Sequence, residues 1–210
     1  MRALVIVGAG GFGRETVDVV RAINSLGVKW DLLGIIDDNP SFDDVIRLKD
    51  LSLPLLGNTR QIPPDANVAI GVGSPTSRYR LARTLSDRGH NFPALIHPSA
   101  IVGSSVRVGT GVIALASVSI GTNVTIGAHV HLNAHSVVGH DAKIEPFASI
   151  NPNATVSGNC VIGTRSLLGA SSTLLQGLSL GADSTVGAGS VVTKSVPDGR
   201  VVKGIPARCD

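Results

Sequence analysis

Residues 101–150 read IVGSSVRVGTGVIALASVSIGTNVTIGAHVHLNAHSVVGHDAKIEPFASI, and a six-residue beat runs through the whole stretch. Counting by six from Val102 to Val192 lands on sixteen residues, all apolar, and only Ala114 is not a large aliphatic. Glycine follows nine of them, as at Gly103, Gly121, Gly139 and Gly187. A second series stands two residues before each aliphatic, running from Ala100 through Val130 and Cys160 to Ser190. Fifteen of its sixteen members are Val, Ala, Ser or Cys. Three registers held in phase over such a length specify a repeat architecture.

The physical reading is a parallel β-helix. Each unit forms one short strand and one corner: the aliphatic points inward, the small residue fits the corner, and glycine is expected to relieve the backbone where the chain turns. Three units make a triangular coil. Coils stacked at the strand spacing of roughly 4.8 Å give a prism roughly 25 Å tall, with edges along which an extended ligand arm could lie. The period is silent on handedness, and crossover connections are right-handed in about 98% of cases.

Composition supports a well-packed chain and narrows its partners. Hydrophobic residues make up 43% and aromatics 3%, so Val, Ile, Leu and Ala must fill the core, and 25 glycines fit a turn-dense fold. A net charge of +3, with no basic run and few rings for base stacking, argues against nucleic-acid binding. Cys160 and Cys209 form no spacing motif and read as free thiols of a reducing compartment. The opening MRALVIVGAGGFG is too short for a signal peptide or a membrane span, so a soluble cytoplasmic protein is expected.

Residues 1–95 follow another pattern. Strands are expected at 3–7, 32–36 and 68–72, with a last short one at 92–96. Helices are expected at 14–26 and around 77–88. This alternation implies a small Rossmann-like parallel α/β sheet with ligands at the strand ends. Gly8, Gly10 and Gly13 satisfy G-x-G-x-x-G, and Asp37-Asp38 closes the next strand. NAD is one reading of that motif, and tight helix–strand packing is another. The favoured one is a truncated pocket for a nucleotide or nucleotide sugar at a helix N-terminus, because about ninety-five residues are half of a dinucleotide fold.

The aliphatic–glycine–small pattern resembles the hexapeptide acyltransferases, and that resemblance implies a left-handed β-helix. With the N-terminal unit at 1–95 and the β-helix at 96–210, nearly the whole chain is similar to the sialic acid O-acetyltransferase family, which includes N-acetyltransferases of nucleotide-linked amino sugars. The likeness is carried by Val5–Gly11, Ile35–Asp38, Ala69–Gly71, Ile96–Ala100, Leu132-Asn133, Gly139-His140-Asp141 and Gly204–Ala207. It implies a homotrimer that uses acetyl-coenzyme A, with active sites between neighbouring β-helices. His140 would be the general base, Asp141 its orienting acid and Asn133 a family asparagine beside it. Gly158 would hold the thioester carbonyl. Ala170, Ala188 and the Lys203-Gly204-Ile205-Pro206 stretch would line the coenzyme A groove. Gly10, Gly11, Phe12, Asp37, Asp38 and Arg78 would face the sugar nucleotide. Phe12 and Ser149 stand where some relatives carry histidines, which leaves the sugar and its nucleotide open.

The chemistry asks for these residue types. Attack on a thioester needs a neutral amine or an activated hydroxyl, and an imidazole of near-neutral pKa can take the proton. Histidine serves both acceptors, so N-acetylation and O-acetylation of sialic acid or a related sugar both stand. Two readings from other classes stand beside them. His129, His131, His135 and His140 crowd one coil, which raises a zinc lyase of γ-carbonic-anhydrase type, but Glu145 falls where that spacing needs histidine. No metal is therefore expected, and His129, His131 and His135 read as outward, solvated or interfacial side chains. A non-catalytic nucleotide-binding trimer is the last alternative. Cys160 reads as packing, and Asn133 with Asn151, eighteen residues on, as a corner amide ladder.

Overall fold

The computed structural model describes residues 1–27 and 29–209. Its first part is a four-stranded sheet of β1 (Arg2–Val7), β2 (Trp30–Ile36), β3 (Leu55–Gly57) and β4 (Asn67–Ile70). The order is β3-β2-β1-β4, with every pairing parallel. β1 is buried from Leu4 to Val7 because helices cover both faces, so it reads as a continuous aliphatic run instead of an alternating one. Helices α1 (Gly11–Ser25), α2 (Phe42–Asp50) and α3 (Pro75–Asp87) connect the strands.

Between Asp38 and Val68, where no element is predicted from the sequence, lie α2, β3 and a short 3₁₀ turn, Thr59–Gln61. The local signal for α2 is its cap: the Ser41 hydroxyl accepts from the Asp44 amide at 3.1 Å. At nine residues the helix is too short for periodicity to announce it.

The second part is a left-handed parallel β-helix of two-residue strands. Its first face carries eight strands, from Leu95–Ile96 through His131–Leu132 to Ala207–Cys209. The second face has six, including Val137–Val138, and the third five, including Lys143–Ile144. Pairings such as Leu132↔Ile150 and Ile150↔Leu168 set the coil at eighteen residues. The inward aliphatics and the small residues before them form one core, with Ile150, Ala154, Val156 and Cys160 all at 0% exposure. Each fully buried aliphatic contributes roughly 1.5–3 kcal/mol.

The glycines do a different job from the one expected. The left-handed backbone falls two steps later in each unit, three residues after the inward aliphatic, at φ between 55° and 64° in Ser117, Asn123, His129, His135, Asp141 and their counterparts. Asn, Asp and His tolerate that region better than other side chains. Glycine directly after the aliphatic is required by contact between coils: a Cβ on Gly139 would stand 2.5 Å from the Gly158 nitrogen.

The sheet domain lies on the first face. Val19 and Val20 of α1 share a core with Ile113 and Leu115 of that face. Phe92 and Phe147 flank the His129 ring at the edge between third and first faces. In a triangular prism, the edge between second and third faces is the one opposite the covered face.

Candidate active site

His140 stands on that opposite edge, two residues past the inward Val138. Its side chain is half exposed, and Nδ1 lies 2.7 Å from Oδ2 of Asp141. Asp141 sits in the left-handed corner position at φ 60°, which turns its carboxylate back along the preceding ring. With the Nδ1 proton shared with Asp141, Nε2 is left as the acceptor. Gly158 lies one coil above, so close that a Cβ there would meet Nε2 at 2.5 Å. The Asn123 side chain, one coil below, donates to the other Asp141 oxygen at 2.7 Å. Asn123 first and His140 second hold the Asp141 carboxyl below the usual carboxylate range. Sequence reading missed Asn123, although its offset of eighteen residues from Asp141 was the signal.

A second site opens between the sheet domain and the first face. It is a cleft of about 740 Å³ lined by Gly11, Phe12, Arg14, Glu15 and Gly73 on one side and by His131, Asn133, Ser149, Asn151 and Pro152 on the other. Gly10 caps α1 in extended conformation, and the α1 N-terminus is unobstructed around Gly10 and Gly11. Gly8 and Gly13 instead pack: a Cβ on Gly8 would meet the Gly71 carbonyl at 2.8 Å, and one on Gly13 would meet the Gly8 carbonyl. The glycine loop therefore divides into two packing residues, Gly8 and Gly13, and two that leave room for a ligand, Gly10 and Gly11. Asn133 donates to the Ile150 carbonyl at 3.1 Å and reaches the Asn151 oxygen at 3.5 Å, so it forms the amide ladder while lining the cleft. Burial, with Asp18 adding to it, raises the Glu15 carboxyl.

Ala170 and Ala188 stack on successive coils at the edge between first and second faces, above Asn151 and Pro152, with the Gly189 amide donating to the Ala170 carbonyl at 2.8 Å. The C-terminal hairpin closes over the same edge: the Gly204 amide bonds the Ser190 hydroxyl at 3.0 Å, and Lys203 packs near Gly187. Pro206 lies at the hairpin turn, between the strands Val201–Gly204 and Ala207–Cys209. The cleft, the alanine pair and the hairpin thus share one edge, while His140 and Gly158 occupy another.

Comparison with known proteins matches residues 3–85 to the PglD N-terminal domain. Residues 159–194 match the hexapeptide repeat of succinyl-transferase. Among solved structures, the chain is similar over its full length to PerB from Caulobacter crescentus in complex with CoA and GDP-perosamine, at 29% identity, TM-score 0.89 and 98% coverage of that chain. The acetyltransferase domain of PglB from Neisseria gonorrhoeae, in complex with acetyl coenzyme A, gives 29%, 0.87 and 99% over the whole of this chain. Over its full length the chain is similar to hexapeptide-repeat sugar acetyltransferases. WeeI from Acinetobacter baumannii is similar over both full chains at 27% identity and TM-score 0.87. Perosamine N-acetyltransferase is also solved with one histidine replaced by Asn or by Ala, each time with CoA and GDP-perosamine bound. No curated protein sequence matches the chain.

Within this sugar acetyltransferase several expected roles are corrected. Arg78 does not face the cleft: it is 0% exposed, and its guanidinium donates to the carbonyls of Val72, Gly73, His129, Phe147 and Ala148 and to the Ser149 hydroxyl. It is a strut between the two parts of the chain, and burial pushes its pKa down to about 9. Asp37 is engaged within the glycine loop, where Oδ2 accepts from the Ala9 amide at 2.7 Å. Asp38 bonds the Thr59 amide at 2.7 Å and borders a separate depression with Arg80 and Thr84. Phe12 lines the cleft but stacks on His131, ring centroids 4.1 Å apart.

His129 and His131 are not solvated. They are buried between the two parts, 6% and 1% exposed, because the sheet domain covers the face on which the repeat places them. His131 Nε2 bonds the Ile70 carbonyl at 3.0 Å. Burial, with the Arg78 charge adding to it, pushes His129 down to about 4 and His131 well below its ordinary value. His135 is exposed at another edge, so the crowded histidines are dispersed. Among the described residues, no group of three or more His, Cys, Asp or Glu is placed to hold a metal ion. Nor is any helix there long and apolar enough to cross a membrane.

Proposed function

We propose that this chain transfers an acetyl group from acetyl-coenzyme A to the amine of a nucleotide-linked amino sugar, with His140 as the general base. The observation that carries the reading is the His140 ring, bonded through Nδ1 to Asp141 and set against the side-chain-free Gly158 at Nε2. The acceptor amine attacks the thioester carbonyl, and Nε2 takes its proton as the C–N bond forms. The Gly158 N–H, which has no acceptor among the described residues, donates to the developing oxyanion. Collapse expels the coenzyme A thiolate, which recovers the proton from the imidazolium. A positioned base contributes roughly 10²–10⁴-fold and one oxyanion donor roughly 10²–10³.

Residues 1–95 would hold the sugar nucleotide over the cleft, with its phosphates at the α1 N-terminus near Gly10, Gly11 and Arg14, and residues 96–210 would carry transfer. Coenzyme A would run along the edge of Ala170, Ala188, Lys203, Gly204 and Pro206. That edge and the cleft are distinct from the edge bearing His140, so a complete site takes the base of one copy and the cleft of the next. A contact between two different edges is heterologous, and closing it after three copies gives a homotrimer. A cytoplasmic setting agrees with two free cysteines, Cys160 and Cys209.

The test is a screen of UDP-, GDP- and dTDP-linked amino sugars and free sialic acid with acetyl-coenzyme A, following thiol release, in wild type and His140→Ala. Transfer by the wild type and its loss in the variant, with coenzyme A binding retained by calorimetry, is the expected result. Undiminished turnover in His140→Ala removes the proposal.

A further inference from the structure

The base and its carboxylate are neighbours in sequence, but a third residue reaches them from another coil. Asn123 precedes Asp141 by one coil and occupies the same left-handed corner position, at φ 59° against 60°. Its Nδ2 donates to Asp141 Oδ1 at 2.7 Å, while Asp141 Oδ2 meets His140 Nδ1 at 2.7 Å. The Asp141 amide in turn donates to the Thr122 carbonyl at 3.0 Å. Main chain and side chain of Asp141 are thus both anchored on the coil below.

We propose that Asn123 is a positioning residue for the transfer step: it locks the Asp141 carboxylate in the rotamer that keeps the His140 proton on Nδ1 and leaves Nε2 free to accept. The inference rests on the reading of His140 as base.

Asp141 needs such a lock because its side chain is 40% exposed. Water competes for both oxygens, and a contact this exposed is too weak to hold one rotamer alone. The neutrality of Asn123 matters as much as its reach. At the edge between third and first faces, the same offset joins Arg165 to Asp183, with Nε to Oδ1 at 2.7 Å, and there the cation neutralises the carboxylate. Asn123 holds Asp141 without neutralising its charge, which stays available to the imidazolium. The coils on either side meet His140 through Gly121, Gly158 and Asn159, none of them titratable, so Asp141 is the charged group that tunes the ring.

The experiment compares wild type, Asn123→Ala, Asp141→Asn, the double variant and His140→Ala. Asn already occupies this corner position at 123, 153 and 159, so Asp141→Asn should fold. In histidine-¹⁵N-labelled protein without substrate, the His140 signal (identified by its loss in His140→Ala) should report an Nδ1–H tautomer in wild type. Asn123→Ala should shift it towards a mixture of the two tautomers. On the sugar nucleotide that the wild type accepts, kcat of Asn123→Ala should fall roughly tenfold, a fraction of the 10²–10⁴-fold that a positioned base contributes, with KM unchanged. Because Asn123 acts through Asp141, the double variant should match Asp141→Asn; losses that multiply would overturn the proposal. Wild-type tautomer and kcat in Asn123→Ala would overturn it too while leaving His140 as base, whereas undiminished turnover in His140→Ala would remove the base itself.

Discussion

A methyl group on Gly158 would stand 2.5 Å from Nε2 of His140, so one hydrogen is all that position tolerates while the ring stays in place. Gly158 is not among the left-handed glycines, so alanine there brings no backbone strain, only the clash with the ring. Gly158→Ala should therefore leave the thermal midpoint nearly unchanged while kcat falls by about 10²-fold or more, the scale of a displaced base or oxyanion donor. Steady-state kinetics alongside a melting curve separate the two effects. A variant with wild-type kcat would show that the ring can yield without cost to catalysis.

The division of the site between two edges predicts subunit complementation. His140→Ala lacks the base but keeps the cleft, whereas Gly11→Leu fills the open α1 N-terminus but keeps the base. Each alone should be inactive. Unfolding and refolding them together in equal amounts should restore about a quarter of wild-type activity, the share of random neighbours that pair an intact base with an intact cleft. No recovery in verified mixed trimers would place the whole site within one chain.

Acid should loosen the junction built around Arg78. His129 titrates near 4 when folded and near 6.5 when unfolded, and His131 is depressed in the same direction. Below the unfolded value the unfolded chain binds more protons, so stability is lost as pH falls from 6.5 towards 4. A tenfold difference in proton affinity between the two states corresponds to about 1.4 kcal/mol, so His129 alone should account for roughly 2–3 kcal/mol over that window. Denaturant titration across pH should show the decline. His129→Phe, at a corner position that Phe147 also occupies, should flatten it in part.

Cys160 should prove dispensable. It is fully buried in the small-residue register, and burial pushes its thiol up, away from the reactive thiolate. Cys160→Ala, matching Ala142 and Ala154 in the same register, should keep kcat within about twofold, because direct transfer to the amine requires no acyl-enzyme. A thiol reagent should find one reactive cysteine in the native chain, Cys209, and two after unfolding. Loss of turnover in Cys160→Ala would demand a covalent route.

Much of this protein was decided by the sequence alone. The inward registers from Val108 to Val192 are legible because each unit buries its own residues with the same six-step spacing, a local constraint repeated many times. His140 and Asp141 were legible together because they are adjacent, and the chain need only turn once to join them. Tertiary structure decided the rest. The repeat marks His129 and His131 as outward, and nothing local says that a second domain will cover that face. Arg78 looks like a ligand-facing cation until the junction supplies it with six acceptors. Asn123 meets Asp141 only once the coil closes, and the edges of cleft and base separate only in the folded prism. Inward packing is written in periodicity, while the use of an outward position depends on what is brought against it from far along the chain.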